Sequence, residues 1–240
     1  PHAPAYWHNR IDFASTRSPQ HRARAMKRVA LLGMPNTGKS TLFNRLTGAH
    51  AKVGNWPGLT VELLSAKLLV GDQMVQLVDL PGIYDMHGFS DDEKVVTTFL
   101  TTQTTDLLVV LLNTSQLDRQ LNFVQQMMQQ DIPVLLVMNM VDEAQKLGIH
   151  VDAKSLSEQL GVPVCLLSAK YGQGMDQLLP AMRQVLTVTS PTPSFTVDAS
   201  HLERAFEQCT SVPSQASHAL TESLDRVLLH PWFGLPIFFA

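Results

Sequence analysis

Three observations in this sequence predict an α/β fold: a six-stranded, mostly parallel sheet with helices on both faces. First, short apolar runs recur near residues 29–32, 63–70, 74–78, 107–112, 134–139 and 163–167, each of strand length. Second, helical patterns lie between or after them, over 39–47, 92–103, 117–130, 152–160 and 173–187. Continuous apolar strands alternating with amphipathic helices mean a sheet buried on both sides. Third, polar segments follow several of the runs, at the strand ends where such sheets gather ligand groups.

The first run, Val29–Leu32, leads into Gly33-Met34-Pro35-Asn36-Thr37-Gly38-Lys39-Ser40, and Thr41, Leu42, Phe43 and Leu46 continue as a helix. This is GxxxxGKS in its required strand–loop–helix context. Glycines let consecutive N–H groups curl inward, and the helix adds the positive end of its dipole. Lys39 would reach the β- and γ-phosphates, and the Ser40 hydroxyl would ligate Mg²⁺. Asp79-Leu80-Pro81-Gly82 ends the run Val75–Val78, so Asp79 can hold Mg²⁺ through water and the Gly82 N–H can meet the γ-phosphate. The helix over 117–130 is patterned by Leu117, Leu121, Val124 and Met128. Asn139-Met140-Val141-Asp142 ends the run 134–138, and the Asp142 carboxylate can accept from guanine N1–H and N2–H₂. Adenine lacks both donors, and leaving that carboxylate unpaired rejects it by a factor on the order of 10⁴. Gly161 reads as the C-cap of the helix over 152–160. Ser168-Ala169-Lys170 follows the last run, placed to cover the base, and Asp176 opens the next helix. Each short motif alone reads as a solvated loop. Together, in this order, they predict a site for GTP and GDP.

Against this background, Val53-Gly54-Asn55-Trp56-Pro57-Gly58-Leu59-Thr60-Val61-Glu62 resembles the first switch of the FeoB (ferrous iron transport protein B) family. The Pro-Asn spelling of the phosphate loop with Thr41-Leu42-Phe43-Asn44, the segment Ser90–Glu93 and the Leu160–Val164 stretch are similar to that family as well. So is Asp225–Phe238, which resembles the segment by which these proteins lead into their first membrane helix. The resemblance covers about residues 27–187 and 223–240, fails over 1–25 and is faint over 188–222. It implies the GTP-hydrolysing domain of a ferrous iron transporter on the cytoplasmic face of a bacterial inner membrane. Its partners would be guanine nucleotide, its own membrane core and the small Feo accessory proteins. The competing reading is a soluble GTPase of ribosome assembly or tRNA modification, which shares the loop motifs but usually appends a basic RNA-binding module.

The resemblance also implies slow hydrolysis. Ile83 stands where many switch GTPases place a water-orienting glutamine. Asn36, with the Gly54 and Trp56 carbonyls, would hold a K⁺ that stabilises charge between the β- and γ-phosphates. Asn36 could instead be a loop residue bonding its own backbone. Thr60 is the expected first-switch Mg²⁺ ligand and γ-phosphate sensor. Catalysis is thus expected from Lys39, Asn36, Thr60 and Gly82. Nucleotide contacts fall to Gly33, Pro35, Thr37, Gly38, Ser40, Thr41, Asp79, Asn139, Met140, Asp142, Ser168, Ala169 and Lys170 as well. Glu93 reads as an exposed helix-start carboxylate more readily than as a water-positioning group. Trp56 reads as an exposed switch aromatic, and Met34 as a packing difference.

Composition narrows the class. A net charge of −3 argues against a nucleic-acid partner, and a 45% hydrophobic share suits a globular core. Cys165 and Cys209 lack metal-ligand spacing, and the nine histidines are scattered, so buried thiols in a reducing compartment are expected. Residues 1–25 form a basic extension without a signal-peptide core, expected to be disordered. The nucleotide-binding domain is expected over 26–189, with Ser190-Pro191-Thr192-Pro193-Ser194 as its boundary. A short helical linker would follow over 190–230 and the start of a membrane span over 231–240. Beginning at Pro1 and stopping inside an apolar run, the sequence reads as a piece of a longer chain.

Overall fold

The computed structural model describes residues 26–59, 61–187 and 198–211. The extension over 1–25, the boundary at 190–194, the later part of the linker and the apolar segment over 231–240 lie outside the described residues, as does Thr60. In chain order the elements are β1 (Lys27–Gly33), α1 (Lys39–Thr47), β2 (Lys52–Asn55), β3 (Glu62–Val70), β4 (Gln73–Asp79) and α2 (Asp91–Thr102). Then come β5 (Leu107–Asn113), α3 (Leu121–Met128), β6 (Val134–Asn139), α4 (Val141–Lys146), β7 (His150–Val151) and α5 (Ala153–Leu160). β8 (Val164–Leu166), α6 (Met175–Thr187), α7 (Ala199–Cys209) and β9 (Thr210–Ser211) complete the order.

The main sheet runs β2-β3-β4-β1-β5-β6-β8. β1 pairs in parallel with β4 and β5, and β5–β6–β8 continue in parallel, while β3 is antiparallel to both β2 and β4. All six predicted strands are present, and β2 makes a seventh. Its sequence, KVGN, has no apolar run because it is an edge strand held to β3 by backbone pairing.

Period-two alternation divides the sheet between two cores. Ala30, Leu32, Val78, Leu108, Val110 and Leu112 face one, beneath α2, α3, α5 and α7. Val29, Leu31, Leu77, Leu107, Val109 and Leu111 face the other, beneath α1 and α6. Every residue of β5 and β6 is buried, as covering on both faces requires.

Two helical expectations change. The pattern over 117–130 is broken: Thr114–Gln120 forms 3₁₀ turns kinked at Gln116, and α3 starts only at Leu121. Buried Gln120 explains the break. Its amide accepts from the Asn113 N–H (2.9 Å) and donates to the Asn113 and Gln116 carbonyls (2.9 and 2.8 Å), satisfying a strand end that would otherwise be orphaned. Glu93 is buried, not exposed. Its carboxylate accepts from the Phe89 and Ser90 N–H groups while its own N–H donates to Ser90 Oγ, closing a capping box on α2.

The described part of the segment expected as a linker packs on the domain. Leu202, Ala205, Phe206 and Cys209 of α7 join the first core beside α3 and α5. The Asp152 N–H donates to the Cys209 carbonyl (2.9 Å), and β7 pairs with β9. No helix among the described residues is long and apolar enough to cross a membrane.

Candidate functional site

β1 delivers Gly33 to the loop, and the backbone then turns left-handed at Asn36 (φ 64°) and Gly38 (φ 85°), on either side of Thr37. Such alternation aims successive N–H groups into one concavity. The Thr37 hydroxyl donates to the Met34 carbonyl (2.8 Å) and fixes the curl. At Gly38 a Cβ would collide with the Asn139 amide, so the left-handed turn and the close approach both require glycine. α1 starts there, with the Leu42 N–H on the Gly38 carbonyl (3.0 Å).

Lys39 and Asp79 meet in an ion pair at the carboxyl end of β4, both largely buried. Burial raises the Asp79 carboxyl above its ordinary range, and the Lys39 ammonium opposes that rise. The following segment is tied to the phosphate loop: Leu80 N–H donates to the Leu31 carbonyl (3.1 Å) and Ile83 N–H to the Gly33 carbonyl (3.3 Å). Gly82 thereby lies against Pro35, which would be 3.3 Å from a Cβ there. Pro35, Asn36, Gly38, Lys39, Ser40, Thr41 and Gly82 line a cavity of about 490 Å³, joined by Met34 and Asp92. Ile83 is 2% exposed and packed in the core, so its side chain has no access to a water in that cavity.

The other half of the site hangs on Asn139, which is 2% exposed at the end of β6. Its Nδ2 donates to the Thr37 carbonyl (2.8 Å), and its Oδ1 accepts from the Ala169 N–H (2.8 Å). One side chain therefore ties the phosphate loop to the 168–170 loop. Thr114 Oγ1 donates to the Asn139 carbonyl (2.6 Å) and holds the strand end from the opposite side. Met140 is left-handed (φ 62°) and turns the chain into α4, whose first turn carries half-buried Asp142. Ser168 is buried, and its hydroxyl has no hydrogen-bond partner among the described residues. Lys170 lays its ammonium 5.2 Å from the Tyr171 ring centroid.

The first switch is arranged differently from the sequence expectation. Trp56 is half-buried, edge-on to Phe99 of α2 with centroids 5.1 Å apart, and the Arg28 guanidinium lies 4.8 Å over its ring. Apolar contact with α2 and a cation–π contact account for its being packed rather than exposed. Its carbonyl accepts from the Leu59 N–H (3.1 Å), and Gly54 sits in β2 opposite Leu63. Of the three residues expected around K⁺, Asn36 lines the cavity and Gly54 and Trp56 do not.

Two contributors were not among the expected site residues. Arg45, in the last turn of α1, donates from Nε to the Ala169 carbonyl (2.6 Å) and from Nη2 to the Lys170 carbonyl (2.8 Å). A last-turn arginine is common for dipole reasons, so only the tertiary contact distinguishes it. Asp92 lines the cavity next to Glu93, the carboxylate the sequence singled out.

Residues 27–182 match the family model for ferrous iron transport protein B. The chain is 42% identical over 224 residues to the Fe(2+) transporter FeoB of Synechocystis, covering 89% of this chain and 36% of that protein. It thus spans about a third of that relative's length. The G domain of T. maritima FeoB is similar in structure, with a TM-score of 0.60 and 34% identity, over 67% of this chain and 98% of that one. The cytosolic domain of the same transporter in a GDP form aligns with a TM-score of 0.63 and 32% identity, over 70% of this chain and 66% of that one. With most of its length matched by the family model and by these relatives, the chain belongs to the ferrous iron transport protein B family.

Proposed function

We propose that this chain binds GTP and GDP with Mg²⁺ and hydrolyses GTP slowly, as the cytoplasmic domain of a bacterial inner-membrane ferrous iron transporter. The observation that carries the reading is the Asn139 bridge, which holds a phosphate loop and a candidate base loop at one edge of the sheet. Asp142 would select guanine by accepting from N1–H and N2–H₂. The inward N–H groups around Asn36 and Gly38, with Lys39, suit a polyphosphate. Ser40 and Asp79 are hard oxygen donors of the kind Mg²⁺ takes, and Thr60 would add a third from the first switch. Bound Mg²⁺ would neutralise charge developing on the phosphates.

In the transition state Lys39 would offset charge on the β- and γ-oxygens, and the Gly82 N–H would meet the γ-phosphate. Ile83 contributes nothing to water positioning, which leaves backbone groups or another side chain to do it, in keeping with the slow rate the resemblance implies. Asn36 would hold a K⁺ when the first switch swings in, its Gly54 and Trp56 carbonyls leaving their present strand and turn. The family match supports the transporter reading over ribosome assembly or tRNA modification. A GTP hydrolysis assay tests the proposal. Turnover should be measurable, faster in KCl than in NaCl at equal ionic strength, and absent in Lys39→Ala. Turnover by Lys39→Ala at the parent rate would place the chemistry elsewhere.

A further inference from the structure

The loop that would cover the base is anchored by a residue outside every nucleotide motif. Residues 168–173 form a tight turn, with Ser168 N–H on the Gln173 carbonyl (3.0 Å) and Gly172 N–H on the Ser168 carbonyl (2.8 Å). On its inner side the turn is held at the Ala169 N–H by Asn139. On its outer side both anchors come from one guanidinium: Arg45 Nε on the Ala169 carbonyl and Nη2 on the Lys170 carbonyl. The third nitrogen lies under Gly172, where a Cβ would be 2.8 Å from Nη1 and 3.4 Å from Cζ. Gly172 is left-handed (φ 79°), so sterics and backbone conformation both keep that position clear for the arginine. Among the described residues, no other side chain of α1 hydrogen-bonds this turn.

Arg45 stands on the helix that opens with Lys39 and Ser40. It therefore links the phosphate helix to the base loop along a path separate from the Asn139 bridge. We infer that Arg45 is a positioning residue that holds the base loop down and sets how long a guanine nucleotide stays bound. The inference rests on the proposed nucleotide reading. A nucleotide leaves once the loop lifts from the base, and lifting breaks both charge-assisted bonds at Ala169 and Lys170. Removing them lowers the barrier to exit and leaves the encounter of nucleotide with the open site largely unchanged, so the effect appears in the dissociation rate. Lysine cannot replace the residue, because a single ammonium lacks the planar fork that reaches two successive carbonyls.

The test measures release of a fluorescent GDP analogue, chased with excess GDP, from the parent, Arg45→Ala and Arg45→Lys. Arg45→Ala should release GDP about tenfold faster, equivalent to about 1.4 kcal/mol, with association within about twofold of the parent. Arg45→Lys, which keeps the charge and the aliphatic stem, should also release faster than the parent and carries the test if the alanine variant fails to fold. Inorganic tripolyphosphate reaches the phosphate loop and not the base loop, so it should bind parent and variants equally. Unchanged release in Arg45→Lys would overturn the inference. So would equal weakening of GDP and tripolyphosphate, which would mean that the substitution displaces α1 itself. A parent protein that holds no GDP would overturn the nucleotide reading and this inference with it.

Discussion

Asn139 spends both ends of its amide on backbone groups that nothing else among the described residues satisfies, one on each side of the site. Asn139→Ala would orphan the Thr37 carbonyl and the Ala169 N–H in a dry place, at about 1–3 kcal/mol each. The denaturant midpoint should fall accordingly and GDP binding should be lost. An unchanged midpoint would contradict the bridge. Cys165 offers a pH test. Burial in β8 pushes its thiol from 9.0 up to about 11. In the unfolded chain the thiol ionises at its ordinary value, so between there and the raised value the unfolded state holds fewer protons. Stability contributed by the protonated buried thiol is therefore complete below the unfolded pKa and lost as pH rises toward the folded one. Cys165→Ala should show a shallower alkaline fall in melting temperature than the parent, and equal slopes would contradict the shift.

Among the elements, α7 packs on the domain from beyond its expected boundary. Phe206 is 4% exposed and shares a core with α3 and α5. Truncating a buried phenylalanine costs about 3–5 kcal/mol, so Phe206→Ala should lower the unfolding midpoint of the whole domain. A midpoint unmoved by the substitution would make α7 an independent appendage. A helical segment was expected in this region, and all six runs that became sheet strands were legible, because burial on one or both faces writes a pattern into the sequence. β2 was illegible for the converse reason: an edge strand that buries little is specified by pairing with β3, not by its side chains. The break before α3 was hidden because Gln120 looks like a surface residue until its amide is seen closing on Asn113. Local chemistry made the α1 start readable and marked Glu93 as a helix-start carboxylate, whereas its burial and its capping box depend on the Phe89 and Ser90 backbone closing on it.

For the whole molecule, topology does most of the work. Parallel strands β1, β4, β5, β6 and β8 end at one edge of the sheet, and Gly33, Asp79, Asn139 and Ser168 lie at or just past those ends. The phosphate and base motifs were therefore legible as strand-end segments, far apart in sequence and adjacent in space. What spacing could not convey was the tertiary ties: the Asn139 bridge, the Arg45 clamp and the docking of Trp56 on Phe99 and Arg28. A site so assembled should discriminate by base, since Asp142 stands in the first turn of α4, two residues beyond left-handed Met140. The most direct test is a displacement titration of bound fluorescent GDP by GTP, ATP and xanthosine diphosphate, on the parent and on Asp142→Asn. GTP should displace from the parent while ATP needs a concentration higher by a factor on the order of 10⁴, and Asp142→Asn should transfer the preference to the xanthine nucleotide. Equal displacement by ATP and GTP would contradict the account.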